Sequence, residues 1–448
     1  MSNTGVLIMA AGKGTRMKSA HPKVLHDVLD KKLIDYVIEN ALSYTQNVSV
    51  LVSSDEVSEY ITNKYPIKIL WQREQLGTGH AVKICCEWWS DFKNLIVLNG
   101  DVPLMKKSSL KNFIDSSLNY DCVITSFITE NPGAYGRIVH ESNNIKIVEF
   151  KDASDDEKKI KEVNAGCYAF KVKSLEQVIN LIDNNNAQGE YYLPDVLKFM
   201  NQKNMRVNSF IMPELEMLGV NNQEELTNIN LILRDEILKK HLSNGVNILD
   251  LNSVYIGSDV EIDPDVKIMP NVQIWGKSKI LSGSVIGSGS ILKNAVIGHD
   301  VNIIAYAVIE NSELKNNSKA GPFIYIRENS CLEKNSFAGK FVELKNTIVG
   351  ENSKVPHLSY MGDAVLGHNV NIGAGSITCN YDGKNKNKTH IGNNCFVGSD
   401  TMFIAPVEIG DDSATAAGSV ITKDIPVNSL GVARERQINI NDWSKRKK

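Results

Sequence analysis

The fold of the second half is decided by residues 254–292, which read VYIGSDVEIDPDVKIMPNVQIWGKSKILSGSVIGSGSIL. An aliphatic side chain returns at every sixth position, and a second register runs two residues earlier. The first register comprises Ile256, Ile262, Ile268, Ile274, Ile280, Ile286 and Leu292, and the second Val254, Val260, Val266 and Val272. A six-residue repeat is typical of a β-helix, in which short strands stack into parallel sheets. The pattern therefore predicts a β-helix over residues 249–448.

The repeat returns later in the chain, for example as Ile348-Val349-Gly350 and Val365-Leu366-Gly367. The stretch from Thr378 to His390 interrupts it and is rich in Asn, Lys and Gly. This interruption predicts a loop that leaves the coil. Solenoids accept such insertions on one face, often the face that binds ligands.

The first half has a different pattern, in which short aliphatic runs alternate with helix-like stretches. Val6–Met9, Val48–Val52 and Leu95–Leu98 are continuous apolar runs, and a helical pattern spans Leu33–Leu42. Parallel strands buried on both faces have this composition. The pattern predicts an open α/β sheet over residues 1–222, with ligands beyond the carboxyl ends of its strands.

Residues 223–248 are predicted to form a linker helix between the two domains. Leu226, Ile229, Leu233 and Ile237 fall on one helical face, whereas Arg234 lies largely off that stripe. Asn244-Gly245 predicts the end of the helix.

The composition argues against several classes of protein. The net charge of −3 gives no overall attraction to nucleic acid or to an anionic membrane. The seven cysteines are odd in number and scattered, which argues against a disulfide framework and is typical of a reducing cytosol. The apolar run at the N-terminus is too short for a signal peptide or a membrane span. We expect a cytoplasmic protein with no nucleic-acid or membrane partner.

The loop after the first strand reads Ala10-Ala11-Gly12-Lys13-Gly14-Thr15-Arg16-Met17. Its glycines let backbone N–H groups approach phosphate oxygens, while Arg16 and the later Lys23 add positive charge. The loop lacks the Gly-Lys-Ser/Thr of a Walker A motif. On these residues alone, phosphate binding and an ordinary strand-to-helix turn stay equally open. Asp101 at the end of a buried strand suits Mg²⁺, with a turn or helix-cap aspartate as the alternative.

This loop, followed by Pro22-Lys23, resembles the signature of nucleotide-sugar pyrophosphorylases, and the resemblance continues through Gln72, residues 75–79 and Asn99-Gly100-Asp101. The resemblance implies Mg²⁺ held by Asp101 and Asn221, catalytic charge stabilisation by Arg16 and Lys23, and uracil contacts from Gln72, Gly77 and Thr78. The implied set for UTP and the UDP-sugar is Met9, Ala10, Ala11, Gly12, Lys23, Gln72, Gly77, Thr78, Gly136, Glu149, Asn164 and Asn221, of which Gly136, Glu149 and Asn164 hold the sugar. The implied reaction is displacement of pyrophosphate from UTP by N-acetylglucosamine 1-phosphate.

Four segments of the β-helix region carry a second resemblance: residues 341–345, 357–360, 371–375 and 378–383. Together with the first half, they are similar over essentially the whole chain to bacterial bifunctional N-acetylglucosamine-1-phosphate uridyltransferases. The family implies an α/β Rossmann-like nucleotidyltransferase domain followed by a left-handed parallel β-helix. It also implies acetylation of glucosamine 1-phosphate by acetyl-CoA, a homotrimer with acetyl sites between neighbouring β-helices, and a product used for peptidoglycan and other envelope polymers.

The resemblance implies a role for each residue of the acetyl site. His357 would be the general base, because imidazole side chains titrate near neutral pH. Arg327 and Lys345 would hold the sugar phosphate, and Tyr360 and Asn371 the sugar. Acetyl-CoA would contact Ala374, Asn380, Tyr381, Ser399, Ala417 and Arg434.

Three alternatives stay open on the sequence. The β-helix could be only a scaffold for a pyrophosphorylase, which predicts no acetyl transfer. It could hold zinc as in γ-class carbonic anhydrases, with ligands from His299, His357, His368 and His390. Some non-catalytic translation-factor exchange subunits share the two-domain plan, but the loop residues Gly12, Arg16, Lys23 and Asp101 argue against that class.

Overall fold

The computed structural model describes residues 3–141, 144–186 and 189–446. The chain divides into two compact units between Leu233 and Arg234. Among the described residues, every helix is too short or too polar to cross a membrane.

The first unit is built on a mixed sheet in which the strand Thr4–Ala10 is an interior strand. This strand pairs in parallel with Val48–Val52 on one side and Asn94–Asn99 on the other. The strand order across the sheet is Val207–Ile211, Cys122–Ile128, Glu162–Lys171, Asn94–Asn99, Thr4–Ala10, Val48–Val52 and Lys68–Trp71. Val6 and Ile8 point into one core and Leu7 into the other, as alternation along a strand requires. The predicted α/β fold is confirmed.

One strand of this sheet runs against the others. Glu162–Lys171 is antiparallel to both Asn94–Asn99 and Cys122–Ile128. It also begins a smaller antiparallel extension formed by Arg137–Glu141 and Asn144–Val148. Residues that flank this extension, among them Ala134 and Glu149, line a cavity. A separate hairpin pairs Asp27–Val28 with Lys31–Lys32.

Helices cover both faces of the sheet. One core packs under Leu33–Tyr44, Asp55–Lys64 and Lys107–Ser117. The other packs under Thr78–Ile84, Cys86–Trp89, Val172–Glu176 and Val196–Gln202. Short 3₁₀ helices are Thr15–Met17, Lys23–Leu25, Glu157–Lys159, Leu193–Asp195, Glu214–Met217 and, in the second unit, Trp443–Arg446.

The predicted helix at the junction is present as Gln223–Ser243. Leu226 and Ile229 are buried in the first unit against Met17 and Leu33. Arg234 lies largely off the apolar stripe, and its side chain is nevertheless buried. Its guanidinium donates to the Asn252 carbonyl at 3.3 Å and to the Asp235 carboxylate at 2.8 Å, so its polar atoms have partners inside the second unit.

The second unit is the predicted parallel β-helix, with three sheets that we call faces 1, 2 and 3. Face 1 comprises Asn247–Ile248, Lys267–Ile268, Val285–Ile286, Asn302–Ile303, Lys319–Ala320, Phe337–Lys340, Lys354–His357, Asn371–Ile372, Phe396–Val397, Ala414–Thr415 and Leu430–Gly431. Face 2 comprises Tyr255–Ile256, Gln273–Trp275, Ile291–Lys293, Ala307–Glu310, Ile324–Arg327, Glu343–Lys345, Tyr360–Gly362, Ile377–Cys379, Met402–Ile404 and Val420–Ile421. Face 3 comprises Glu261–Ile262, Lys279–Ile280, Val296–Ile297, Glu313–Leu314, Cys331–Leu332, Ile348–Val349, Ala364–Leu366, Thr389–Ile391 and Val407–Ile409.

The hexapeptide aliphatics fill the interior of this β-helix. Ile268 pairs with Ile286 in the next coil, and both are fully buried. The predicted loop is shorter than expected, because Thr389–Ile391 returns to face 3 and pairs with Ala364–Leu366. Residues 380–388 therefore form the loop.

The corners of the β-helix place residues in the left-handed backbone region. Between faces 3 and 1 these residues are Asp265, Gly283, Asp300, Asn317, Asn335, Asn352, Asn369, Asn394, Asp412 and Asn428. Asn, Asp and Gly accept this conformation at the lowest cost. Four successive coils differ at the corner between faces 1 and 2, where the left-handed residues are Tyr306, Phe323, Phe341 and Leu358.

We call these four residues the corner ladder. Each keeps between 51% and 63% of its surface exposed. The Tyr306 and Phe323 rings stack with centroids 5.3 Å apart, and the Phe323 and Phe341 rings with centroids 5.6 Å apart. Bulky side chains are costly in this backbone region, so an exposed apolar ladder here is an unusual feature.

Candidate active sites

A cavity of about 460 Å³ opens at the carboxyl end of the strand Thr4–Ala10. It gathers most of the residues that the sequence predicted for the nucleotide. Its lining is Met9, Ala10, Ala11, Gly12, Lys13, Arg16, Lys23, Val24, Leu51, Gln72, Gln75, Gly77, Thr78, Ala81, Asn99, Asp101, Glu190 and Asn221. Motifs that lie far apart in the chain thus share one site.

Two polar contacts join the expected phosphate-binding and metal-binding residues. The Lys23 ammonium forms a close ion pair with the Asp101 carboxylate. The Arg16 guanidinium donates to the Asn221 side-chain oxygen at 2.8 Å. Glu225, at the start of the junction helix, accepts from the Asn221 backbone N–H at 2.7 Å and so fixes its position. Each of the two cationic side chains therefore contacts an oxygen atom that could bind a metal ion.

The turn at Gly77 leaves no room for a side chain. Its φ is 108°, and a Cβ there would lie 2.5 Å from the Tyr191 carbonyl oxygen. Gln72 donates to the Gly77 carbonyl at 3.2 Å, and the Leu193 N–H donates to the Thr78 hydroxyl at 3.0 Å. The three residues expected at the uracil are therefore held together by one hydrogen-bonded turn.

A second cavity, of about 410 Å³, adjoins the first and shares Met9, Thr78, Asn99 and Glu190 with it. Glu149 and Asn164 line it. Gly136 is not part of the lining, but a Cβ on it would lie 3.1 Å from the Glu149 carboxylate, and its carbonyl accepts from Asn164 N–H at 2.8 Å. The three residues predicted for the sugar thus lie together.

Three titratable groups that line this cavity, Glu149, Tyr168 and Tyr192, have raised pKa values, and Glu149 is the carboxylic acid among them. Burial raises the pKa of its carboxyl, and the nearby carboxylates of Asp152 and Asp195 raise it further. Both effects disfavour the charged form.

In the second unit, several predicted residues lie one above another along the corner between faces 1 and 2. His357 ends a face 1 strand, and its side chain is exposed. The Leu358 carbonyl accepts from Gly375 N–H, the Ala374 carbonyl from Asp400 N–H, and the Ser399 carbonyl from Gly418 N–H. His357, Ala374, Ser399 and Ala417 therefore lie in successive coils, about 4.8 Å apart. Arg434 is near this column, with its Cδ 3.8 Å from the position of a Cβ on Gly418.

Face 2 carries the basic residues predicted for the sugar phosphate. Arg327 and Lys345 are direct neighbours on adjacent strands. Arg327 donates to the Glu343 carboxylate at 2.8 Å, and these hydrogen bonds raise the pKa of its guanidinium. Lys386 from the loop lies beside Lys345, and the close approach of the Lys345 ammonium lowers the pKa of the Lys386 ammonium. Tyr360 pairs with Glu343 in the same sheet.

The remaining predicted residues lie elsewhere around the coil. Asn371 is on face 1, opposite Lys354, and not on face 2 with Arg327 and Lys345. Asn380 and Tyr381 begin the loop at the corner between faces 2 and 3. The residues predicted for the acetyl site are therefore spread over two faces and two corners of one chain.

The histidines considered as zinc ligands do not converge within one chain. His357 ends a face 1 strand, His390 lies in a face 3 strand, and the His299 ring contacts the Ser282 hydroxyl at 2.9 Å. Among residues 3–141, 144–186 and 189–446, no group of three or more His, Cys, Asp and Glu side chains could hold a metal ion.

Some cavity residues were missed by the sequence prediction. Lys13 and Gln75 line the nucleotide cavity, and both lie within motifs that were recognised, so the motifs themselves contained the signal. Glu190 lines both cavities without any local motif, because tertiary packing brings its segment there. Lys386 lies in the loop, which was recognised only by its composition.

Comparison with known proteins agrees with both halves. A family model for nucleotidyl transferases matches residues 5–215, and one for the bacterial transferase hexapeptide (six repeats) matches residues 388–423. The bifunctional protein GlmU of Fervidobacterium nodosum is 43% identical over 99% of this chain and 97% of its own length. GlmU of Thermoanaerobacter pseudethanolicus is 41% identical, and that of Clostridioides difficile 42%, each over 99% of this chain and 98% of the relative.

Both units of the chain, and both groups of motifs, are thus shared with proteins of one kind over nearly their full length. The chain therefore belongs to the family of the bifunctional protein GlmU, and it is a bifunctional enzyme of UDP-N-acetylglucosamine synthesis with uridyltransferase and acetyltransferase activities.

Proposed function

We propose that the two adjoining cavities of the first unit are the uridyltransferase site. UTP would occupy the cavity lined by Gly12, Gln72 and Thr78, and N-acetylglucosamine 1-phosphate the cavity lined by Glu149 and Asn164. The observation that carries this assignment is the shared wall of the two cavities, because a phosphate of the sugar must reach the α-phosphorus of UTP.

Arg16 and Lys23 would stabilise the negative charge of the reacting phosphates. An acceptor phosphate oxygen forms a bond to the α-phosphorus while the bond to the departing pyrophosphate breaks, so charge moves onto oxygens that these cations face. Lys23 forms an ion pair with Asp101, and Arg16 donates to Asn221. They are thus already held at the site and need only exchange partners.

Asp101 and Asn221 would hold Mg²⁺. A carboxylate and an amide oxygen are hard donors, and Mg²⁺ commonly takes one or two protein ligands and completes its shell with phosphates and water. The two side chains line the same cavity, so the donor set fits this ion. When bound, Mg²⁺ supplies a Lewis acid that neutralises triphosphate charge.

We assign acetyl transfer to the corner and face 2 of the second unit. His357 would accept a proton from the amine of glucosamine 1-phosphate, whose nitrogen attacks the thioester carbon of acetyl-CoA as the C–S bond breaks and the CoA thiolate leaves. Arg327 and Lys345 would hold the sugar phosphate, with Tyr360 and Asn371 on the sugar. The corner column of Ala374, Ser399, Ala417 and Arg434, together with Asn380 and Tyr381, would hold acetyl-CoA.

A homotrimer would complete this second site. Two features of one chain support the assembly: the acetyl-site residues are spread around the coil, and the corner ladder beside His357 leaves stacked aromatic rings exposed. An apolar strip of this kind suits contact with neighbouring copies. We further propose a cytoplasmic location, which is supported by the seven free cysteines, and a linker role for residues 223–248.

The test is to mix purified protein with glucosamine 1-phosphate, acetyl-CoA, UTP and Mg²⁺, and to measure each intermediate by mass. We expect His357→Ala to block only acetylation and Asp101→Ala to block only uridylyl transfer. His299→Ala at another corner and Asp91→Ala on the surface of the first unit are matched controls. If UDP-sugar forms only from sugar that is already acetylated, the acetyl-site assignment is wrong.

A further inference from the structure

One acidic residue stands out at the corner between faces 2 and 3. In the four preceding coils this corner has a left-handed asparagine, Asn294, Asn311, Asn329 or Asn346, with Glu328 also left-handed before Asn329; the coil before these has Gly276. Asn294 donates to the Asn311 side-chain oxygen at 3.1 Å, as in a ladder in which each amide both donates and accepts. The next position is Asp363, with a φ of 51°. This aspartate lies at the same corner as the loop of residues 380–388, one coil before it.

Asp363 contacts both ends of this loop. One carboxylate oxygen accepts from the Asn346 amide at 2.7 Å, and the other accepts from the Asn380 amide at 2.5 Å. Its backbone carbonyl accepts from Thr389 N–H at 3.2 Å, where the loop returns, and its own N–H donates to the Lys345 carbonyl at 2.9 Å. Burial acts to raise the pKa of Asp363, but hydrogen bonds from Asn346 and Asn380 lower it overall, so the carboxylate stays ionised.

A carboxylate can only accept hydrogen bonds, whereas an asparagine can also donate. Asn380 must therefore turn its NH₂ toward Asp363, which turns its Oδ1 away from that carboxylate. With asparagine at position 363, the ladder pattern would permit the reverse orientation. The loop itself is ordered around this end, because Asn387 N–H donates to the Asn380 carbonyl at 2.7 Å.

We propose that Asp363 is a positioning residue of the acetyl-transfer site, which fixes the Asn380 amide so that its oxygen accepts a hydrogen bond from an N–H group of the bound acetyl donor. The inference rests on the proposed function of Asn380. Asp363 touches neither substrate nor cofactor, and acts through Asn380 and the loop ends.

The test uses the full-length enzyme and an exchange of the two side chains. Asp363→Asn lets the Asn380 amide reverse, so we expect the KM for acetyl-CoA to rise about tenfold with little change in kcat. Asn380→Asp places two carboxylates face to face and should raise KM further. The double variant restores one donor opposite one acceptor, so its KM should return to within about threefold of wild type. Asp300→Asn, at another left-handed corner, is the matched control.

Uridylyl transfer should be the same in every variant. Hydrogen exchange of the Asn387 and Thr389 amides provides a readout that does not need activity: it should be faster in Asn380→Asp and return toward wild type in the double variant. If the KM of Asp363→Asn stays within about twofold of wild type, or if the double variant is no better than Asn380→Asp, the inference is wrong. Absence of acetyl transfer in the wild type would instead refute the proposed function, whatever the exchange rates show.

Discussion

At Gly12, the absence of a side chain should decide how closely the nucleotide can approach the loop. A Cβ on Gly12 would meet no heavy atom within 4 Å, and its φ lies outside the left-handed region. Gly12→Ala should therefore fold with unchanged stability. The added methyl would fill the space in which a phosphate approaches the loop, so we expect the KM for UTP to rise about tenfold or more.

Kinetic measurement of uridylyl transfer, with thermal unfolding of the same samples, checks this prediction. Acetyl transfer by Gly12→Ala is the internal control. An unchanged KM for UTP would show that the phosphates do not approach this part of the loop.

Protonation of Glu149 should make the KM of the uridyltransferase reaction depend on pH on the acid side. Its raised pKa means that it takes up a proton at a higher pH than an exposed glutamate would. As the pH falls, the sugar loses a carboxylate acceptor, so the KM for N-acetylglucosamine 1-phosphate should rise. Glu149→Gln should have a higher KM that no longer varies over this range, whereas the exposed Glu176→Gln should behave like wild type. A pH-dependent KM in Glu149→Gln would contradict the assignment.

Individual site residues could be predicted from the sequence where they belong to one local motif. Gly12, Arg16 and Lys23 belong to one short stretch, and the structure brings them into one cavity. Glu190 could not be predicted, since it reaches the cavity through packing between distant segments. The burial of Arg234 could not be predicted because helical periodicity reports only apolar burial, whereas its guanidinium is buried against a carbonyl and a carboxylate.

At the level of elements, Asp35 holds the helices Leu33–Tyr44 and Asp55–Lys64 together. Its fully buried carboxylate accepts from the hydroxyls of Tyr60 at 2.7 Å and Tyr65 at 2.9 Å, and from the Lys64 ammonium at 2.7 Å. Burial and this carboxylate raise the pKa of both tyrosines, which therefore remain donors. Asp35→Asn should lower the free energy of unfolding of the first unit by about 2–4 kcal/mol, because a charge-assisted network loses its acceptor.

Urea unfolding followed by the fluorescence of Trp71, Trp88 and Trp89 measures this change. The exposed Asp55→Asn is the control, with an expected change within about 0.5 kcal/mol. Equal midpoints for Asp35→Asn and wild type would mean that the network contributes little.

Secondary structure could be predicted from the sequence where the apolar side chains follow a strict period. Seven aliphatics at a six-residue spacing predicted the β-helix, and all of them are buried. The antiparallel strand Glu162–Lys171 was not foreseen, because its direction depends on its neighbours in the sheet and not on its own composition. The loop was placed correctly but made too long, since Thr389–Ile391 is a short strand beside a lysine-rich segment.

For the whole molecule, the corner ladder predicts how copies associate. Phe323→Asp with Phe341→Asp should disrupt a trimer, because two charges would enter an apolar contact. Light scattering should then give the mass of one chain for the double variant, where the proposed trimer predicts the mass of three chains for the wild type. Acetyl transfer should be lost, and uridylyl transfer kept.

Val296→Asp, at an exposed apolar position on face 3, should leave the assembly intact. A trimer that survives both ladder substitutions would mean that the copies meet elsewhere. The sequence suggested the assembly only through family resemblance, because no pattern in one chain identifies which exposed side chains meet a second copy.

The register between coils has a consequence for how the second unit forms. Hydrogen-bonded neighbours in successive coils are close in sequence, as where Ala295 N–H donates to the Ser278 hydroxyl 17 residues earlier. Parallel sheets usually demand long-range closure, which slows folding, but here each coil needs only the previous one as a template. The unit should therefore grow by nucleation and one-dimensional propagation. Terminal coils have one neighbour in place of two, so the end near Ala417 and Arg434 should fray at the lowest free energy.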